Sequence, residues 1–194
     1  MNRYNDQNTY KKLTEVLGIM DTFESMEVSA PANDVHLLFD NWVLWAHLPH
    51  DTDWSIKSYK KIMDISSVEA MLALYLAIPE KLVKNCMLFL MRRDINPTWE
   101  DVQNRSGGCF SFKVVNKNVN SVWTKMSYCL VGETLSNDPK LLSIVTGITI
   151  SPKKSFCIIK IWLKNCTMQD PTRLVELPGL NSYGCIFKRH KPEH

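Results

Sequence analysis

Alternating apolar and polar positions dominate the chain from about residue 36 onward. Leu38 to Leu48 reads as a half-buried strand, and the odd spacing of Trp42 and Trp45 within it places those rings on opposite faces. A further strand is expected near Tyr59 to Met63. Ser66-x-x-Glu69 then spells a capping box for a helix running to about Ile78 and limited by Pro79. Its apolar side carries Val68, Leu72, Tyr75 and Leu76, positions expected mostly to pack, with any exposed remainder forming a docking strip. Cys86 to Met91 is a near-continuous apolar run, the pattern of a buried strand. Gly107-Gly108 restarts the chain into Cys109 to Val114, with Phe110, Phe112 and Val114 on one face. Asn118 to Asn120 introduces a helix through Val122, Trp123, Met126 and Leu130, closed by Gly132.

Two more strands are expected at Leu142 to Ser151 and Ser155 to Lys164, joined by Pro152-Lys153-Lys154. Asp170 to Leu177 predicts a turn or two of helix, and Tyr183 to Arg189 a last strand. Ahead of this body, residues 1–35 read as an arm. Its polar opening is followed by Leu13, Val16, Leu17, Met20 and Phe23 at helical spacing, with Asn8 or Thr9 as a cap. Residues 36–194 then form one domain, since 194 residues fit a single core.

Composition narrows the picture modestly. The 23 basic residues against 20 acidic ones, net +3, are too balanced to argue for nucleic acid by themselves, so an anion site must come from local placement. Six cysteines are scattered without a C-x-x-C spacing or a zinc-type Cys/His cluster, so neither a metal nor a cofactor is expected. No leader and no membrane-spanning run is visible, and reduced thiols in the cytoplasm or nucleus are the expectation.

The candidate chemistry sits in Pro97-Thr98-Trp99-Glu100-Asp101, followed by Asn104 and Gly107-Gly108. A loop gives an indole little cover, and a tryptophan beside a carboxylate suits a flat cationic base with NH donors. The ring supplies a π face worth about 2 kcal/mol when desolvated, and the acid accepts paired hydrogen bonds. A guanine methylated at N7 meets both demands. The competing reading is a packed tryptophan with two solvated turn acids. Trp54 repeats the arrangement after the polar loop Pro49 to Asp53. Lys153 and Lys154 suit a phosphate, or are ordinary solvated turn lysines.

Taken together these residues resemble the translation initiation factor 4E family from about His36 to His190. The resemblance is carried by Asn41-Trp42-x-Leu44-Trp45, by Trp54, and by Ser67-Val68-Glu69 with Ala73-Leu74-Tyr75. It continues through Pro97-x-Trp99-Glu100-Asp101 with Asn104 and Gly107-Gly108, then Trp123, Cys129 to Glu133, and Ile161-Trp162. It implies an α+β fold, a single curved antiparallel sheet with helices on its convex face and the cap site on its concave face. It implies that Trp54 and Trp99 sandwich a 7-methylguanosine cap, that Glu100 accepts its N1 and N2 protons, and that the Trp99 backbone NH meets O6. Trp162 would lie against the methyl group, and Lys153 and Lys154 would meet the triphosphate. Trp42, Trp45 and Trp123 become scaffold. The implied function is recruitment of capped mRNA for translation initiation through a 4G-like scaffold, by a monomeric, cytoplasmic binding module and not an enzyme. Glycine-rich methyltransferase loops and glutamate-rich Nudix helices have no counterpart here.

The departures lie on both faces. Leu72 stands where the family places the tryptophan that clamps the Tyr-x-x-x-x-Leu-Φ helix of scaffold 4G and 4E-binding repressors, and Leu37 replaces a proline. Thr124-Lys125 replaces a leucine-glutamate pair, while His36, Val68 and Gly132 keep the expected partner surface in register. The alternative function is therefore a cap-binding competitor or repressor, or a factor whose partner uses a non-standard motif. On the cap side Cys109 replaces a basic residue, and Ser155 and Ile158 stand where lysines are common. Lys188, Arg189 and Lys191 are candidates to replace them.

Overall fold

Seven strands form in the computed structural model of the chain, which describes residues 35–49, 51–180 and 182–192. They are β1 (Leu37–His47), β2 (Tyr59–Ser67), β3 (Met87–Arg92), β4 (Gly108–Val115), β5 (Val145–Pro152), β6 (Phe156–Leu163) and β7 (Ile186–Arg189). They pair antiparallel throughout into one curved sheet of order β2-β1-β3-β5-β6-β4-β7. Four helices accompany them: α1 (Val68–Ala77), α2 (Glu80–Asn85), α3 (Val119–Val131) and the single turn α4 (Pro139–Leu142). The arm stretch from Leu13 to Phe23 lies outside the described residues.

Period-two alternation sorts the sheet into two faces. Trp42, Leu44, Phe110, Phe112, Val114, Ile159 and Ile161 point to the helices and form the main core with Trp123, Met126 and Leu130 of α3. The opposite face carries Trp45, Tyr59, Phe89, Met91, Cys109 and Trp162, a second and smaller apolar cluster. Arg92 ties the two halves together. Its guanidinium lies 4.6 Å from the Trp42 ring and pairs with Asp40 and, at 2.8 Å, with Glu133 just after α3. Its Nε donates to the Val145 carbonyl of β5 at 2.9 Å.

Several expected boundaries move. The cap of α1 is Ser67, whose Oγ accepts from Ala70 N at 3.1 Å, one residue later than the Ser66 box, because β2 continues through Ser67. Glu69 instead accepts from the backbone and ring of His36. Met71 and Leu74 are the buried residues of α1 and Tyr75 packs on the core as expected, whereas Val68, Leu72 and Leu76 face outward. Pro79 ends α1 but also caps α2, a helix the sequence pattern hides because proline there reads only as a stop. Asp138 and Pro139 open α4, which delays β5 to Val145. Asp170 caps one 3₁₀ turn at Pro171–Arg173, and a second turn at Ser182–Gly184 shortens the last strand.

Candidate nucleotide-binding face

The helix-free face is built from strand parity. Tyr59, His47 and Met87 stand in one row across β2, β1 and β3. Trp45, Phe89, Thr149, Lys160 and Ser111 form the next row, and Met91, Gly147, Trp162 and Cys109 the one after. Gly147 and Gly108 leave room for close backbone approach; a Cβ on Gly147 would stand 2.5 Å from the Leu90 oxygen.

The two loop tryptophans come from opposite ends of this face. β1 ends at His47, and the connection to β2 carries Trp54, whose indole is 54 % exposed yet lies flat on His47, centroids 4.2 Å and planes 3° apart. The His47 Nε2–H donates to the Asp53 carbonyl at 2.8 Å, which anchors the loop beneath the ring. Asp53 also accepts from the Ser55 backbone and hydroxyl, and those bonds hold its carboxyl below the usual range.

Trp99 belongs to the long connection from β3 to β4, which leaves the other end and folds back. Asp101 braces this loop: Oδ2 accepts from Asn96 N and Oδ1 from Gln103 N, both at 2.9 Å. The fully buried Asn104 donates Nδ2 to the carbonyls of Asn96 at 3.0 Å and Thr98 at 2.9 Å. Gly107 is required where the loop meets β6, since a Cβ would stand 1.8 Å from the Leu163 oxygen. Asp101 and Asn104 thus bind the loop to itself, with Glu100 exposed at its surface. Trp99 is half-buried and packs on the Trp162 cluster, with Lys160 Nζ 5.6 Å from its ring centre.

Trp162 is buried in the floor, its Nε1–H donating to Thr149 Oγ1 at 3.2 Å. Burial pushes the Tyr59 hydroxyl up to about 12, and the carboxylates of Glu100 and Asp53 add to the rise. His47 links Trp54 to Tyr59, whose ring it meets edge-on at 5.1 Å, and Tyr59 shares one apolar cluster with Trp162 and Trp99, which places the two loop segments over the same part of the sheet. Burial also raises the Cys109 thiol, against the opposing pull of Ser111, Lys160 and Lys188.

Trp54, Trp99, Glu100 and Trp162 accordingly share one face. Lys153 and Lys154 are exposed on the β5–β6 turn, which Lys153 N closes by donating to the Phe156 carbonyl at 2.8 Å. The ladder puts that turn at the Trp54 end. His36, Val68, Leu72 and Gly132 belong to the helix-bearing side, where Tyr75 of α1 donates to Ser127 of α3 at 2.5 Å and meets Tyr128 edge-on. Sequence reasoning passed over His47 and Lys160, although each stands two residues from a tryptophan of the same strand face. It also passed over His190, which no periodicity marks because it follows the last strand.

The family model of eukaryotic initiation factor 4E matches residues 37–178. The chain belongs to that family, whose members are translation initiation factors and not enzymes. Initiation factor 4E of Eremothecium gossypii is 30 % identical over 161 residues, covering 78 % of this chain and 74 % of that protein. The Saccharomyces cerevisiae factor 4E is 27 % identical over 180 residues, covering 87 % and 81 %. Among solved structures, a schistosome eIF4E complexed with m7GpppG and 4E-BP superposes with a TM-score of 0.62 at 19 % identity, over 69 % of this chain and 74 % of that one. An Ascaris suum eIF4E-3 with m7G cap also gives 0.62, at 20 % identity over 69 % and 76 %.

Proposed function

We propose that this chain binds the 7-methylguanosine cap of mRNA on its concave face and serves translation initiation. The observation that carries the reading is the convergence of Trp54 and Trp99–Glu100 from opposite ends of the sheet onto the surface floored by Trp162. An exposed Trp54 and a half-buried Trp99 on two loops suit stacking of a base, worth about 1–3 kcal/mol by truncation of a stacking ring. Glu100 supplies the acceptor for the guanine N1 and N2 protons, and Trp162 the apolar contact for the methyl group. Lys153 and Lys154 take the triphosphate as point charges. In support, the similar schistosome eIF4E was solved with m7GpppG and the Ascaris suum eIF4E-3 with an m7G cap.

The test is quenching of tryptophan emission by 7-methyl-GTP against GTP. Quenching by the methylated ligand, weakened in Glu100→Ala by the loss of a charge-assisted pair of about 1.5–3 kcal/mol or roughly 10- to 150-fold, supports the reading. Equal response to both nucleotides sinks it.

A second reading concerns the partner. Leu72 at 48 % and Leu76 at 89 % exposure form a strip with Val68 on α1, where a family tryptophan is missing. This favours either a scaffold with a non-standard motif or a cap-binding competitor that recruits 4G weakly. A pull-down with a Tyr-x-x-x-x-Leu-Φ peptide decides: no binding by the natural chain, restored by Leu72→Trp, supports the competitor, and firm binding without that change supports the initiation factor. In either case residues 36–194 form the cap-binding domain of a cytoplasmic monomer, with residues 1–35 as its arm.

A further inference from the structure

Each loop tryptophan of the concave face has a histidine against it. His47 lies flat against Trp54, and His190 lies nearly parallel to Trp99, centroids 5.6 Å and planes 13° apart. The two supports stand at opposite ends of the sheet. His47 closes β1 beside Tyr59 and Met87, whereas His190 follows β7 and donates its backbone NH to the Gly107 carbonyl at 3.0 Å. His190 is 6 % exposed, and its ring sits 4.8 Å from Trp162 at a 55° tilt. Its Nδ1–H donates to the Asn104 carbonyl at 2.7 Å, while Nε2 is buried with no hydrogen-bond partner among the described residues.

We propose that His47 and His190 are positioning residues of the cap site, which hold the two indoles in place by stacking on them, and that His190 makes the pocket sensitive to protonation. This rests on the cap reading above. A neutral imidazole is a flat support that leaves the indole's π density to a cationic base on the other side. A protonated one is itself a cation against that ring and competes for the same density. At His190 the added proton would also sit on a buried nitrogen that has no acceptor, close to the Lys160 ammonium, and would loosen the link from β7 to Asn104 and the Trp99 loop. The groups bearing on these rings are Asp53 and Tyr59 around His47 and Lys160 of β6 at His190. Burial, reinforced by Lys160, keeps His190 below the ordinary imidazole range, so its neutral form prevails at neutral pH.

The experiment uses the full chain and the dinucleotide m7GpppG, with emission and affinity followed at pH 7.2 and 5.5. His47→Ala and His190→Ala should each weaken binding at least fivefold at pH 7.2, and the phenylalanine variants should restore most of that loss. The natural chain should weaken on acidification, and His190→Phe should not. Thermal melts and near-UV circular dichroism establish that each variant is folded. Alanine variants within twofold of the natural chain, or an acid loss that survives in His190→Phe, would overturn the proposal. Emission of the unliganded chain separates the two readings. If the natural chain fails to bind m7GpppG, the cap reading falls; a pH-dependent emission that His190→Phe abolishes would still support the histidine support of Trp99, and a flat one would remove it too.

Discussion

Asn104 donates its side-chain amide to the carbonyl of Thr98 at 2.9 Å, so a fully buried residue holds the backbone immediately before Trp99. The bond converts a long connection into a fixed platform, because the peptide plane that aims the indole is tied to the root of β4.

Asn104→Ala should therefore remove the donor from the Asn96 and Thr98 carbonyls, costing about 0.5–1.5 kcal/mol of stability for each bond lost. Cap affinity should fall in parallel while the sheet stays intact. Chemical denaturation together with 7-methyl-GTP titration checks both effects, and an unchanged affinity in a destabilised variant would separate the platform from the site.

Gly107→Ala and Gly147→Ala both push a methyl into backbone, at 1.8 Å from the Leu163 oxygen and 2.5 Å from the Leu90 oxygen. Overpacking of this kind costs about 1–3 kcal/mol or more. A drop in melting temperature on the order of 3–10 °C is expected for each. Gly147 lies opposite Trp162, so its variant should also blue- or red-shift the emission of the floor indole.

Much of this architecture was legible in the chain because alternation is a local signal. Phe110, Phe112 and Val114 turn to the core as their spacing requires, and Trp42 and Trp45 part to opposite faces. Helix α2 was hidden because Pro79 acts as a cap where it reads as a terminator. The side of α1 that packs was partly misread because that helix is apolar nearly all round, so spacing alone does not choose Met71 and Leu74 over Leu72 and Leu76. Of the candidate site residues, Trp54, Trp99 and Glu100 stood out by residue type and loop placement, and Trp162 through the family resemblance. His190 was not: its place depends on β7 pairing with β4, a contact across some 80 positions of chain.

Tyr59 should titrate late. Its folded value near 12 exceeds the ordinary phenol value of 10, so its contribution to stability is complete below pH 10 and is lost as pH rises toward 12. Ultraviolet titration should show Tyr59 and the buried Tyr75 both ionising late, and Tyr59→Phe should remove one of these two delayed phenols. Glu100→Gln should bring that ionisation earlier, since removing a neighbouring negative charge eases formation of the phenolate.

His190 sets the opposite limit. Its folded value lies below the unfolded one, so the unfolded chain takes up the proton first as pH falls. Stability supplied by the neutral ring is present above the ordinary imidazole range and fades on descending through it. Urea denaturation at pH 7.2 and 5.5 should show a smaller loss in His190→Phe than in the natural chain. An equal loss in both would assign acid sensitivity to the carboxylates.

The sheet order leaves β2 and β7 as its two outer strands, and unpaired strand edges invite neighbouring molecules to add on. Here one border is only four residues long and carries exposed Lys188 and Arg189, and the other carries Lys60, Lys61 and Asp64. Short length and charge are the features that discourage such growth. The chain can thus hold an open, ligand-ready hollow at working concentration while its flanks resist edge-to-edge addition of strands from neighbouring molecules.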